Sequence, residues 1–153
     1  MHRLEFKLPP PAIALTTALL MWLAVDATPS LAITFAWHLH SGILLVIVGL
    51  LFDVSGFLAF RKAGTTINPL KPARTSAMVI SGIYRISRNP MYLGLLLNLT
   101  GWAVYLSHPL AFLGLPFFVL VITRFQIAPE ERLLSEKFGV DFESYKNAVR
   151  RWI

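Results

Sequence analysis

Four apolar stretches separated by polar joins organise the first 127 residues. The first runs from Pro11 to Val25, opened by the Pro9-Pro10-Pro11 run and closed by Asp26. The second runs from about Phe35 to Phe60 and is interrupted only by His38, His40 and Asp53. The third is Pro90 to Leu106, and the fourth is Pro109 to Ile122, reaching toward Ile127. A hydrocarbon core of ~30 Å takes about 20 helical residues, so the second stretch is ample and the others are somewhat short. Short spans are accommodated by bilayer thinning, tilted neighbours or interfacial residues. Ser107-His108-Pro109 is so tight a connection that the third and fourth helices form an antiparallel hairpin. The pattern predicts an all-α, polytopic integral membrane protein with about four transmembrane helices.

Beyond Ile127 the pattern changes. Pro129-Glu130-Glu131 reads as a helix start, with Pro at the first helical position and acids in the first turn. Phe138-Gly139 reads as its stop, because glycine takes a left-handed C′ conformation readily. Asp141 is placed to cap a last short helix through Arg151. The tail is an amphipathic cytoplasmic cap with Leu133, Leu134, Phe138, Phe142, Tyr145 and Trp152 to bury. The predicted organisation is a single domain. Residues 1–60 hold the first two transmembrane helices, 61–89 a cytoplasmic loop, 90–127 the hairpin and 128–153 the cap.

Composition agrees with a membrane chain. Of 153 residues, 56% are hydrophobic and 14% charged, and the mean hydropathy is +0.62. Soluble domains carry roughly 25% charged residues. Cysteine is absent, which excludes disulfides, thiolate metal ligands and a cysteine nucleophile. The formal charge of +6 is that of basic loops in a membrane chain rather than of a nucleic-acid-binding surface. Between Arg61 and Arg88 lie Arg61, Lys62, Lys71, Arg74, Arg85 and Arg88, with no acidic residue. The positive-inside rule puts this loop in the cytoplasm. The N-terminus (Arg3, Lys7) and the tail after Arg124 then share that side. An N-terminal signal peptide cleaved near Val25-Asp26-Ala27 is the alternative for the first stretch. A transit-like N-terminus is lacking, which fits a bacterial inner membrane. The loop from Gly64 to Ala77 is rich in Gly, Pro, Thr and Ser and reads as irregular structure at the membrane surface.

The candidate chemistry gathers where the third stretch begins, in "GIYRISRNPMYLG" from Gly82 to Gly94. Asn89 is a favoured N-cap and Pro90 a favoured first helical residue. The free N–H groups of such a helix start, with Arg85 and Arg88 upstream, suit a carboxylate or phosphate. The helix start at Pro129 brings Glu130 and Glu131 to the same side. Adjacent on a helix, they diverge and do not form an acid/base pair. One suits ribose hydroxyls or a cation, and the other suits Arg124 or the basic loop. The plainer reading makes Arg85, Arg88, Tyr84 and Tyr92 interfacial anchors. Asp53, midway in the second stretch, has two readings: a functional intramembrane acid, or a hydrogen-bonding partner of Ser55, Asn98 or a neighbouring backbone. Asn98, Thr100 and Ser55 serve as interhelical polar contacts, and Gly49, Gly94 and Gly101 as close-packing points. His38, His40 and His108 fall at the outer face, and His38 and His40 at i, i+2 do not share a helical face for a metal.

"GIYRISRNPMYLG" followed by "RFQIAPEERLLSEKFGVDFESYKNAVRRWI" resembles the isoprenylcysteine carboxyl methyltransferase family and the related phospholipid methyltransferases. The matching positions are Gly82, Tyr84, Arg88, Asn89, Pro90, Tyr92 and Gly94 at the first motif. At the second they are Glu130, Glu131, Leu134, Phe138, Gly139, Phe142 and Tyr145, then Arg151-Trp152. "GTTINP" resembles the loop that precedes the first motif in bacterial members, so the likeness covers Gly64 onward. It implies an integral-membrane enzyme using S-adenosylmethionine in a cytoplasmic pocket, with a hydrophobic or lipid-linked acceptor, a carboxylate among the choices. Tyr84, Arg88, Asn89, Pro90, Met91 and Tyr92 would line the cofactor site, Glu130 and Glu131 would close it, and Arg124 and Glu131 would serve the reaction. Asn89 stands where many eukaryotic members have His, so a titrating group is not implied there. No metal or nucleic acid is expected; the bilayer is the expected partner. Two other readings remain open: an NADPH-dependent membrane reductase of steroid-reductase-like type, and a non-catalytic membrane scaffold.

Overall fold

The computed structural model describes residues 5–33, 36–64 and 78–153. The loop cations Lys71 and Arg74, most of the Gly64–Ala77 stretch, and Arg3 lie outside the described residues. All the regular structure among the described residues is helical. Helix α1 spans Pro10–Asp26, α2 His38–Lys62, α3 Pro90–Leu106 and α4 Gly114–Ile122; α5 spans Ala128–Phe138 and α6 Val140–Ala148. The four apolar stretches thus become helices close to where the pattern puts them.

Two helical stretches are long and apolar enough to cross a membrane: His38–Lys62 and the continuous run Pro109–Phe138. α1 and α3 are apolar but have 17 residues each. The surface fits an apolar solvent. Large hydrophobic side chains stay exposed along α1, α2 and α4, among them Leu15, Leu44, Leu51, Leu58 and Leu120.

The core lies where α1, α3 and α4 meet, around Ile13, Ala14 and Met21, Leu99 and Ala103, and Phe118 and Ile122. The Trp102 indole N–H donates to the Ala18 carbonyl at 3.1 Å and joins α3 to α1. α2 packs on the outer side of α3 through small residues: its buried positions are Gly42, Gly49 and Gly56, one every seventh residue. A Cβ on Gly49 would fall on the Asn98 side chain and lie 2.7 Å from the Gly94 carbonyl oxygen. Across this seam the Asn98 amide donates to the Asp53 carboxylate at 3.1 Å. Of the two readings of Asp53, the structure shows the polar contact, with Asn98 as partner. Glycine and amide contacts of this kind let apolar helices associate where apolar side chains would gain nothing by leaving lipid.

At the end remote from the two motifs, His108 is buried in the α3–α4 turn. Its Nδ1 accepts from the Leu110 N–H at 3.2 Å, and its Nε2 lies 2.9 Å from the Thr28 carbonyl, to which it donates in that tautomer. The sequence places His108 away from the polar cluster, and there it is a clamp between turns.

Two expectations for the tail change. Pro129 does not open a free helix. Thr123–Ile127 form a π turn that carries the chain from α4 into α5 without a break. Asp141 lies in the first turn of α6 and Gly139 is its N-cap, so Asp141 is not the cap. Gly139 does stop α5, with φ 50° and ψ −121°. The last residues after Ala148 are extended and return to the start of α3.

Candidate functional site

The two motifs converge at one end of the helices. α3 starts at Pro90, whose missing N–H costs nothing in a first turn. Just upstream, Gly82 at φ 62° allows the tight 3₁₀ turn Gly82–Arg85 that tucks Tyr84 inward. Tyr84 packs edge-on against Phe60 at 5.4 Å, and the Tyr145 hydroxyl donates to its carbonyl at 2.6 Å.

Arg88 is the hub. One of its terminal nitrogens donates to the Lys146 and Val149 carbonyls at 2.8 and 3.0 Å; the other donates to Glu131 at 2.9 Å. Its backbone N–H donates to the Arg150 carbonyl at 3.0 Å. The end of α6 leaves carbonyls without intrahelical partners, and a guanidinium there satisfies them and complements the helix dipole. The Arg88 side chain is 11% exposed and that of Glu131 14%, so the pair is largely withdrawn from water. Arg151 grips Glu131 from the other side, its Nε donating at 3.1 Å and a terminal nitrogen completing a fork. This contact holds the Arg151 guanidinium above its usual range. With both oxygens engaged by guanidinium groups, Glu131 holds Arg88 and Arg151 in place.

Asn89 occupies the N-cap position, and its carbonyl accepts the first helical bond from Leu93 at 2.9 Å. Its side chain makes no cap; it donates to the Arg151 carbonyl at 3.0 Å. The expectation of a side-chain cap is therefore corrected: the amide is drawn to the returning C-terminal segment. One turn on, the buried Tyr92 hydroxyl donates to Glu130 at 2.6 Å. The adjacent glutamates diverge as the helix dictates, Glu130 to Tyr92 and Glu131 to the arginines.

Burial pushes the Tyr84 phenol well above its ordinary value, with the negative Glu130 adding to the effect. Burial also raises the Tyr145 phenol, to about 12. Both remain neutral hydrogen-bond donors through the physiological range.

Beside this cluster an open groove of about 640 Å³ runs along α4 and the π turn, lined by Val119, Leu120, Thr123, Arg124, Ala128 and Trp152, and by Arg88 and Arg151 of the cluster. Its wall is largely apolar, and three of its lining residues, Arg88, Arg124 and Arg151, are cations.

The sequence matches the phospholipid methyltransferase family over residues 37–141, more than half of the chain. The chain belongs to that family. Within it, relatives carry the isoprenylcysteine name that the two motifs suggest. Protein-S-isoprenylcysteine O-methyltransferase A of Arabidopsis thaliana is 28% identical over 116 residues, covering 74% of this chain and 57% of that protein. The Protein-S-isoprenylcysteine O-methyltransferase of Saccharomyces cerevisiae is 32% identical over 114 residues, covering 71% and 45%. An uncharacterised protein of Haemophilus influenzae is 52% identical over 63 residues, all of that protein and 41% of this chain. The chain spans about half the length of its isoprenylcysteine-methyltransferase relatives. No solved structure matches it.

Of the residues expected to form the site of this phospholipid methyltransferase family member, the structure brings Tyr84, Arg88, Asn89, Pro90, Tyr92, Glu130 and Glu131 together. Met91 faces α2 at Gly56, where an added Cβ would lie 3.7 Å from its backbone nitrogen and closer still to its side chain. Arg124 lines the groove together with Arg88 and Arg151. Sequence reasoning placed Arg151 in the motif but not in the site. The signal that points to it is the terminal Arg151-Trp152 pair of the second motif, an arginine held at a fixed place in the motif.

Proposed function

We propose that this chain is an S-adenosylmethionine-dependent integral-membrane methyltransferase that acts on a hydrophobic or lipid-linked acceptor, with a carboxylate as the methylated group. The observation that carries the reading is the joining of the two motifs through the Tyr92–Glu130 hydrogen bond and the Arg88–Glu131 ion pair. Four helices would span the bilayer, with both ends of the described chain and the motifs on the cytoplasmic side. The cluster of Arg61, Lys62, Arg85 and Arg88 supports that orientation.

The residues fit the cofactor. The Arg88 Nε is buried and has no partner among the described residues, so a donor there remains for a carboxylate. Glu130 would accept from ribose hydroxyls, and Tyr84, Asn89 and Tyr92 would frame the site at the start of α3. When bound, S-adenosylmethionine supplies a methyl carbon made electrophilic by its sulfonium centre. The protein's task is then alignment and exclusion of water. The groove would hold the acceptor's apolar chain along Val119, Leu120 and Trp152, while Arg124 and Arg151 would hold its anionic head. No histidine belongs to the polar cluster among the described residues, which favours an acceptor that is already ionised.

Family membership weighs against the reductase and scaffold readings. Calorimetric titration of the detergent-purified protein with S-adenosylhomocysteine and with NADPH tests the proposal. S-adenosylhomocysteine is expected to bind, with Tyr92→Phe and Glu130→Gln each weakening it about tenfold, the scale of one hydrogen bond. Binding of NADPH alone sinks the reading.

A further inference from the structure

The π turn is an unusual feature in a helix of this length, and it lines the groove just ahead of the two glutamates. A π turn holds one more residue than the α-helix would. Everything after it is therefore rotated by about 100° relative to an uninterrupted helix, the angle per residue at 3.6 residues per turn. In this chain the rotated part is α5. The turn of the helix facing the groove belongs to one register, and Glu130 and Glu131 belong to the other.

Three features hold the extra residue in place. Pro129 lacks an N–H and would press its ring on the carbonyl four residues back, that of Phe125, in a regular helix. That carbonyl instead accepts from the Phe6 N–H at 3.3 Å. Gln126, fully buried, donates its side-chain amide to the Leu8 carbonyl at 2.6 Å. Arg132, one turn on, reaches back to Glu5 at 2.7 Å. The segment Glu5–Leu8 thus lies across the turn as a clasp. Phe6 takes φ 60° to make it, a conformation that non-glycine residues seldom adopt.

We propose that Gln126 is a positioning residue: with the Glu5–Leu8 clasp and Pro129 it keeps the helix in its π register, and that register turns Glu130 to Tyr92 and Glu131 to Arg88. The cofactor consequence rests on the methyltransferase reading; the register itself does not.

The test uses the full chain, whose lack of cysteine lets spin labels be placed through Ile86→Cys and Glu136→Cys, both exposed positions. Gln126→Met keeps the volume but removes the donor to Leu8. It also removes the buried Gln126 Oε1, which has no partner among the described residues, so the loss and the gain largely offset and the variant folds. Pro129→Ala restores the N–H that lets the turn relax. Both variants are expected to shift the label-to-label distance by up to roughly 8 Å, the swing of a side chain on a helix about 10 Å across when it turns by 100°. Both are expected to weaken S-adenosylhomocysteine tenfold or more, with a melting temperature close to the parent's. Unchanged distances in both variants overturn the proposal. Shifted distances with parental affinity overturn the positioning role. Shifted distances in a protein whose parent does not bind S-adenosylhomocysteine support the register and sink the methyltransferase reading.

Discussion

At the scale of single residues the site depends on a few buried charges. Removing Glu131 leaves two guanidinium groups facing each other, one of them largely buried. Truncating one partner of such a pair costs about 3–5 kcal/mol where burial is complete, so Glu131→Ala is expected to lose roughly 3 kcal/mol, given its residual exposure. Denaturant unfolding in detergent micelles would show it, and a loss under 1 kcal/mol would mean that the triad is not closed. Tyr145 gives a pH dependence. Its phenol ordinarily loses its proton near 10 and does so near 12 in the fold. The fold therefore binds a proton that the unfolded chain releases between those values. The stabilisation is full below pH 10 and is lost as pH rises toward 12. Melting temperatures should fall over that range, and Tyr145→Phe should flatten the fall; a parallel curve would move the cause elsewhere. Asn89 shows the limit of local reasoning at this scale. Cap chemistry selects its position correctly, but the acceptor it finds lies 62 residues away, and no local rule contains that distance.

At the scale of elements, the seam between α2 and α3 is set by glycine. A methyl at Gly49 or Gly94 would have to displace the partner backbone, with carbonyl oxygens at 2.7 Å from either Cβ. Gly49→Ala is expected to cost about 1–3 kcal/mol, the usual range for overpacking, and to lower the thermal midpoint in detergent. An unchanged midpoint would mean that the helices part freely there. Gly139 differs, because nothing lies within 4 Å of an added Cβ. There the cost of Gly139→Ala is backbone strain at φ 50°, about 1–3 kcal/mol, and Gly139→Asn should recover little, since ψ −121° is outside the left-handed helical well that Asn tolerates. The helices were legible in the sequence because apolar runs bounded by Pro, Asp and basic residues mark them directly. The π turn was not. Pro129 after an apolar run looks the same whether the chain starts a helix there or is already in one, and only the clasp from Glu5–Leu8 decides.

At the scale of the whole molecule, the paired motifs were legible as motifs, and their meeting follows from bringing the start of α3 and the end of the hairpin to one end of the helices. What the sequence did not reveal is that the extended residues after α6 complete the site. Cutting the chain after Val149 removes the Arg150 and Arg151 carbonyls that accept from Arg88 and Asn89, and with them the fork on Glu131. Such a truncation is expected to abolish S-adenosylhomocysteine binding in calorimetry while the helices still insert; retained binding would show that the segment is only a cover.

The reach of Arg88 also has a consequence in time. Its partners in and after α6 lie 58 and 61 residues further along the chain. At a synthesis rate of about 5–20 residues per second, α3 waits for several seconds after Arg88 emerges before those carbonyls exist. In the proposed four-span topology, insertion of α3 would therefore precede completion of the cluster, and a nascent chain would carry an uncompensated guanidinium at the membrane surface. On the proposed orientation, a cation there would anchor the loop on its cytoplasmic side during the very interval in which topology is decided, so the residue that later knits the finished site together would serve first as its orientation signal.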